Sequence, residues 1–342
     1  MIKLGIYLAE RGLIPDIVLG FFIKKLSLAR VNSTTIKHEK KATLNLLKSG
    51  PIAERTSEAN DQHYEVPPEF FKMVLGSRLK YSCALFDSPS DSLDLAEENM
   101  LRLYLERANI EDNQNILDLG CGWGSFSLFA AAQYPGSKFI AVSNSSDQIN
   151  FINEQAQLKG LRNLSAVQKN INDMYFEETF DKVVSIEMFE HMRNYESLLR
   201  RVSQFLKPEG ELFVHIFCHR FACYLYEAKN EADWMTQNFF EGGIMPSEDI
   251  FSYFENDFIV SRSWKVNGMN YGATSQKWLE KHDANKLKII SLFSQHYGEG
   301  KIWFYRWRIF FLTCAKFFSI NEGNDWFVSH YLLKKNRVTI NR

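Results

Sequence analysis

Residues 115–125 read NILDLGCGWGS, and no other stretch narrows the possible folds as far. Ile116, Leu117 and Leu119 form a short apolar run suited to a buried strand. The run breaks into Gly120, Gly122 and Gly124, and the apolar segment Phe126–Ala132 then reads as a helix. A strand that ends on alternating glycines and opens a helix brings backbone N–H groups close to a ligand. Glycine lacks the Cβ that would block that approach. Asp118 precedes the turn, where a carboxylate can meet the ammonium end of an amino-acid-like ligand. The spacing is G-x-G-x-G, whereas a dinucleotide site usually reads G-x-G-x-x-G. A purely structural glycine-rich loop is the competing reading.

The chain around this turn alternates strands and helices. Strand 116–119 leads to helix 126–133, strand 138–142 to helix 147–159, and strands 165–169 and 182–186 follow. Helix 195–205 stops at Pro208-Glu209-Gly210, and strand 211–217 comes next. The alternation predicts an α/β fold with a doubly wound parallel sheet. Ligands in such sheets lie outside the carboxyl ends of the strands, so the glycine turn, Ser143-Asn144, Asn170-Ile171 and residues 187–191 should converge. Upstream, residues 1–48 read as amphipathic helices, suited to a lid, a homodimer surface or a membrane-surface element. Residues 49–68 read as a connector, with His63-Tyr64-Glu65 leading into a helix from Glu69. Ser92 or Asp91 caps a helix running to Ala108. Downstream, 224–256 is an irregular aromatic insertion, 258–266 and 271–274 read as strands, 275–318 as helical, and 327–332 as a last strand. The expected division is an N-terminal helical region and flap over 1–60 and one domain over 61–342, with a substrate cap at about 218–256.

Composition closes off several function classes. Lys+Arg number 40 against Asp+Glu 41, which gives no support for nucleic-acid binding. The five cysteines lack a zinc spacing and fit a reducing compartment, so a cytoplasmic location is expected. The most apolar N-terminal piece, 12–23, is interrupted by Pro15 and Asp16 and is too short to span a bilayer, so no integral membrane segment is expected.

The second informative stretch is Ser185–Met192, SIEMFEHM. It sets Glu187, Glu190 and His191 directly after an apolar strand. Were it one helical turn, all three side chains would face the same way. Carboxylates at a buried strand end are costly unless they act on something. E-x-x-E-H lacks the H-E-x-x-H arrangement of a zinc site, so no metal is expected; helix capping by Glu is the structural alternative.

Together LDLGCGWG, SIEMFEHM and FVHIFCH (213–219) resemble the cyclopropane-fatty-acyl-phospholipid synthase superfamily of S-adenosyl-L-methionine (SAM)-dependent methyltransferases. The nearer likeness is to its coclaurine/pavine N-methyltransferase group, through EMFEHMRNY (187–195), DWMT (233–236), FFEGGIMPS (239–247) and WFVSHYL (326–332). The resemblance covers roughly 60–335. It implies a class I methyltransferase fold and SAM as cofactor. Cofactor contacts are implied at Ser82, Gly120, Asn144, Gln148 and Ile171, beside Asp118 and Gly122 of the turn. Asn170 stands where the N-methyltransferases usually carry Asp for the adenine amine, and its side-chain oxygen can still accept that bond. Catalysis is assigned to Glu187, Glu190 and His191, and a substrate pocket to Tyr81, Cys83, His215, His219 and Tyr271. The cyclopropane-forming relatives bind a bicarbonate whose ligands map to Cys83, Glu190, His215 and Tyr271. The expected partner is a small amine that accepts a methyl on nitrogen. The alternatives are methylation or cyclopropanation of an unsaturated acyl chain, and a SAM-binding regulator without catalysis.

Overall fold

Seven strands of the computed structural model form one sheet in the order β3-β2-β1-β4-β5-β9-β8, where β1 is Asn115–Leu119, β2 Lys138–Ser143, β3 Leu164–Gln168, β4 Phe180–Ile186, β5 Leu206–His219, β8 Phe258–Val266 and β9 Trp326–Lys335; β6 (Tyr224–Leu225) and β7 (Ile244–Met245) pair separately. The structure describes residues 2–31, 36–53, 66–228 and 233–336; the expected lead-in His63-Tyr64-Glu65 lies outside them. β1 to β5 pair in parallel, and β9 runs antiparallel between β5 and β8. The apolar runs fit this arrangement, because strands covered on both faces need apolar residues at successive positions. In β1, Ile116, Leu117, Asp118 and Leu119 are all buried.

Helices Ser125–Gln133, Ser146–Leu158 and Tyr195–Phe205 connect the parallel strands. Ser145 caps the second by accepting the Gln148 N–H, and Asn194 caps the third by accepting the Ser197 N–H. β5 starts earlier than its sequence suggests. Leu206 already pairs with Phe180, and the register shift before Glu211 accommodates Pro208-Glu209-Gly210 as an irregularity within the strand.

The segment 271–274 is not a strand, contrary to expectation. It lies in the first turns of helix Met269–Ala284. Asn267 Oδ1 accepts the Met269 N–H at 2.8 Å and starts the helix. The aromatic and β-branched residues that suggested a strand are instead the buried face of the helix, where Tyr271 stacks on Phe318. The helical stretch that follows is divided by Asn285 and by Gly298, giving helices Lys286–Tyr297 and Gly300–Phe317.

Ion pairs tie the N-terminal helices Ile2–Ala9 and Asp16–Val31 to helix Gly300–Phe317. Arg308 bonds Asp16 at 2.6 and 2.9 Å, and Arg306 bonds Glu10 at 2.8 Å. Leu26 and Arg30 of the second helix thereby reach the rim of the main cavity. Among the described residues, no helix is long and apolar enough to cross a membrane.

Candidate active site

A cavity of about 650 Å³ opens over the carboxyl ends of the parallel strands. The sequence-predicted residues Tyr81, Ser82, Asp118, Gly120, Gly122, Asn144, Gln148, Asn170, Ile171, Glu187, His191 and Tyr271 all line it. Cys83, Glu190, His215 and His219 do not.

The floor is the glycine turn. Gly120 has φ +82°, and a Cβ there would lie 2.6 Å from Met188 Cγ. Gly124 has φ +76°, and its Cβ would lie 2.6 Å from Ile152. Both positions therefore demand glycine on conformation and on space. A Cβ at Gly122 would meet nothing within 4 Å, so the backbone there faces open cavity. Asp118 is buried beside the turn, and Ser127 Oγ donates to it. Burial pushes its carboxyl up to about 7, only partly offset by the bonds from Ser127. A cationic ligand group at this point would restore its charge. Ser143 and Gln148 bond each other at 2.7 Å at the end of β2. Asn170 Oδ1 accepts the Asn172 N–H at 2.9 Å, which holds the turn after β3 and leaves a second lone pair for a ligand donor. Glycine backbone, buried acid and polar strand ends together suit a ligand that carries an ammonium and an adenine.

The opposite wall begins at residues 76–84. Glu97, buried, accepts the N–H groups of Gly76 and Arg78 at 2.9 Å each and fixes this loop. Lys80, fully buried, donates to Ser82 Oγ and to the Cys83 carbonyl. Burial lowers its ammonium to about 8, against the attraction of Glu187.

Glu187, Glu190 and His191 do not share one face. Glu187 sits at φ +49°, a left-handed conformation rare for a residue with a Cβ, and the short 3₁₀ turn Phe189–His191 follows it. The reversal aims Glu187 and His191 at the cavity and turns Glu190 away, towards β5. Such strain is characteristic of functional sites.

Glu187 Oε1 accepts the Cys83 N–H at 3.0 Å and lies 3.0 Å from His215 Nε2. Its Oε2 accepts the Tyr271 hydroxyl at 2.7 Å. Burial raises its pKa, opposed by Lys80, the Cys83 N–H, Tyr271 and His191. Glu190 is more deeply buried. Its Oε1 accepts the Phe217 N–H at 2.7 Å, and its Oε2 has no partner among the described residues. Burial and the Glu187 charge drive its pKa well up, whereas the donors around Glu187, the Cys83 N–H and the Tyr271 hydroxyl, favour the carboxylate there. Burial lowers the pKa of His191, against the pull of Glu187, so its imidazole stays neutral at neutral pH.

The remaining expected pocket residues stand behind this wall. Cys83 reaches the site through its backbone N–H, and burial holds its thiol protonated. His215 stands behind Glu187. His219 lies at the end of β5, where its Nδ1 accepts the N–H groups of Phe221 and Ala222; it is a turn anchor rather than a pocket residue.

Beyond Glu187 the cavity is lined by Tyr226, Phe240, Phe310, Phe317 and Phe318. Tyr226 and Phe240 fall in the expected substrate cap, whereas sequence reasoning assigned Phe310, Phe317 and Phe318 no role beyond a helical stretch. This part of the lining is aromatic, and Glu187 and His191 line the same cavity.

The family model for mycolic acid cyclopropane synthetase matches residues 53–326. (S)-coclaurine N-methyltransferase from Thalictrum flavum subsp. glaucum is 37% identical over 338 residues, covering 95% of this chain and 94% of that protein. Pavine N-methyltransferase from the same plant is 35% identical, covering 84% and 83%. Among solved structures, coclaurine N-methyltransferase bound to N-methylheliamine and SAH superposes with a TM-score of 0.92 at 35% identity, covering 96% of this chain and 98% of that one.

Proposed function

Since the chain belongs to the mycolic acid cyclopropane synthetase family and is a SAM-dependent methyltransferase, we propose that it methylates the nitrogen of a small, aromatic-bearing amine of the kind coclaurine N-methyltransferases act on. SAM, when bound, supplies an electrophilic methyl group on a sulfonium. The glycine turn, Asp118, Asn144, Gln148 and Asn170 are the residues to hold it.

The observation that carries the reading is the place of the Glu187 carboxylate. The Cys83 N–H, His215 Nε2 and the Tyr271 hydroxyl converge on it. These are three of the four residues expected to hold bicarbonate in the lipid reading. Here a side-chain carboxylate already fills their focus. That supports an amine acceptor over an alkene, because the anion at this focus is built into the chain and faces the cavity, where it attracts a cationic amine.

An alkylamine has a pKa of about 10 and is mostly protonated at neutral pH. Glu187 attracts that cation. His191, neutral and on the same wall, accepts the proton so that the nitrogen lone pair is free. The aromatic end holds the rest of the molecule and aligns the nitrogen for in-line displacement. His191→Ala should therefore lower kcat by about 10²–10⁴-fold, while affinity for S-adenosylhomocysteine, measured by calorimetry, is unchanged. Full turnover in a folded His191→Ala protein would remove His191 from the mechanism.

A further inference from the structure

The hydrogen bonding of Glu187 does not end at His215. His215 Nδ1 lies 3.0 Å from His330 Nε2 and 2.9 Å from the Tyr104 hydroxyl. His330 Nδ1 lies 2.8 Å from Arg107 Nη1. The two histidines face each other directly across β5 and β9, and both are fully buried. Arg107 ends helix Leu93–Arg107, half-buried, with its guanidinium 5.2 Å from the ring centroid of Trp264. Trp264 is the β8 neighbour of His330.

The polarity of this chain is set from both ends: at the inner end the Glu187 carboxylate can only accept from His215 Nε2, and at the outer end Arg107 can only donate. An arginine only donates and stays protonated. His330 Nδ1 must therefore accept, and His330 carries its proton on Nε2. That proton points at His215 Nδ1, which must accept in turn. His215 then carries its own proton on Nε2, aimed at Glu187 Oε1. The Tyr104 hydroxyl, which also bonds Ser82, can share that one lone pair only as a second donor in a three-centre bond. Burial and the nearby cations Arg107 and Lys80 hold both rings neutral. A reversed tautomer in either ring would set two N–H groups or two lone pairs against each other in a buried site.

We infer that Arg107 is a positioning residue for the methyl-transfer site: through His330 it locks His215 in the Nε2–H tautomer and so fixes a hydrogen-bond donor on Glu187. The chain does not carry a proton outward, because Arg107 has no lone pair to receive one. The substrate proton therefore leaves on the cavity side, at His191. The other groups facing Glu187 are the Cys83 N–H, Tyr271, Lys80, His191 and Glu190. None of them selects the tautomer of His215.

This inference rests on Glu187 as the carboxylate that meets the amine, but its deciding readout, the histidine tautomers, needs no substrate, so the two can fail separately. Two-bond ¹H–¹⁵N spectra of histidine-labelled full-length protein report tautomers directly, with resonances assigned through His215→Gln and His330→Gln. The wild type should show both rings neutral and protonated on Nε2. Arg107→Met should release the lock: His330 becomes a tautomer mixture, and kcat falls by roughly ten- to a hundredfold with KM for the amine nearly unchanged. Arg107→Lys, which still donates, should recover most of both. An Nδ1–H tautomer at either ring in the wild type would overturn the inference, even if Arg107→Met fails to fold. So would a folded Arg107→Met protein with unchanged tautomers, whatever its activity.

Discussion

Replacing Gly120 by Val is expected to abolish binding of S-adenosylhomocysteine. The backbone at this position has φ +82°, where a β-branched residue is a conformational outlier, and a Cβ would lie 2.6 Å and 2.8 Å from Met188 Cγ and Cβ. Those atoms are near the Met188 backbone and cannot swing clear, so either the turn or residue 188 must move. Strain of this kind costs of order 1–3 kcal/mol. The two N–H groups that hold the turn, those of Gly120 and Cys121, both bond the Val142 carbonyl at the end of β2. A shift therefore moves two walls of the ligand site together. Calorimetry should show no heat of binding, with circular dichroism confirming that the protein remains folded. A folded variant that binds as the wild type does would show that the ligand lies elsewhere.

The second large effect concerns Glu187. Glu187→Gly removes the carboxylate at a backbone conformation that glycine adopts without strain, which offsets part of the cost of the three bonds lost, so the protein should remain folded, as circular dichroism would check. Turnover should fall by about 10²–10⁴-fold, because without this anion the protonated amine is not held where the general base His191 can take its proton. The Cys83 N–H, the His215 imidazole and the Tyr271 hydroxyl remain, and their focus becomes an anion site. Added formate or bicarbonate should then restore part of the activity of Glu187→Gly and leave the wild type unaffected. Wild-type turnover by Glu187→Gly without any anion would contradict the role given to this carboxylate.

The glycine turn and the β/α alternation were legible in the sequence because both depend on local patterns: alternating glycines, and apolar runs separated by helical periods. The SIEMFEHM motif was legible as a cluster of titratable groups at a strand end but not as geometry. Its spacing suits one helical turn, and nothing in the residue types announces the left-handed backbone at Glu187 that sends Glu187 and Glu190 to opposite sides. The role of Tyr271 followed from resemblance, while its helix was misread because an aromatic and a β-branched residue at a buried helix face look like a strand. His330 and Arg107 escaped for another reason. Their partnership depends on the register of β9 against β5 and on where a helix ends 223 residues before His330, and no short window of sequence contains that information.

The central claim is that this site methylates nitrogen with a base of its own. It is tested most directly by incubating the protein with methyl-labelled SAM, against a panel of aromatic and aliphatic amines and against vesicles of unsaturated phospholipid, each with and without bicarbonate. Label should pass to the nitrogen of an aromatic-bearing amine, at a rate indifferent to bicarbonate, and the vesicles should stay unlabelled. Label in the acyl chains as a methyl branch or a cyclopropane, dependent on bicarbonate, with no amine product, would contradict it.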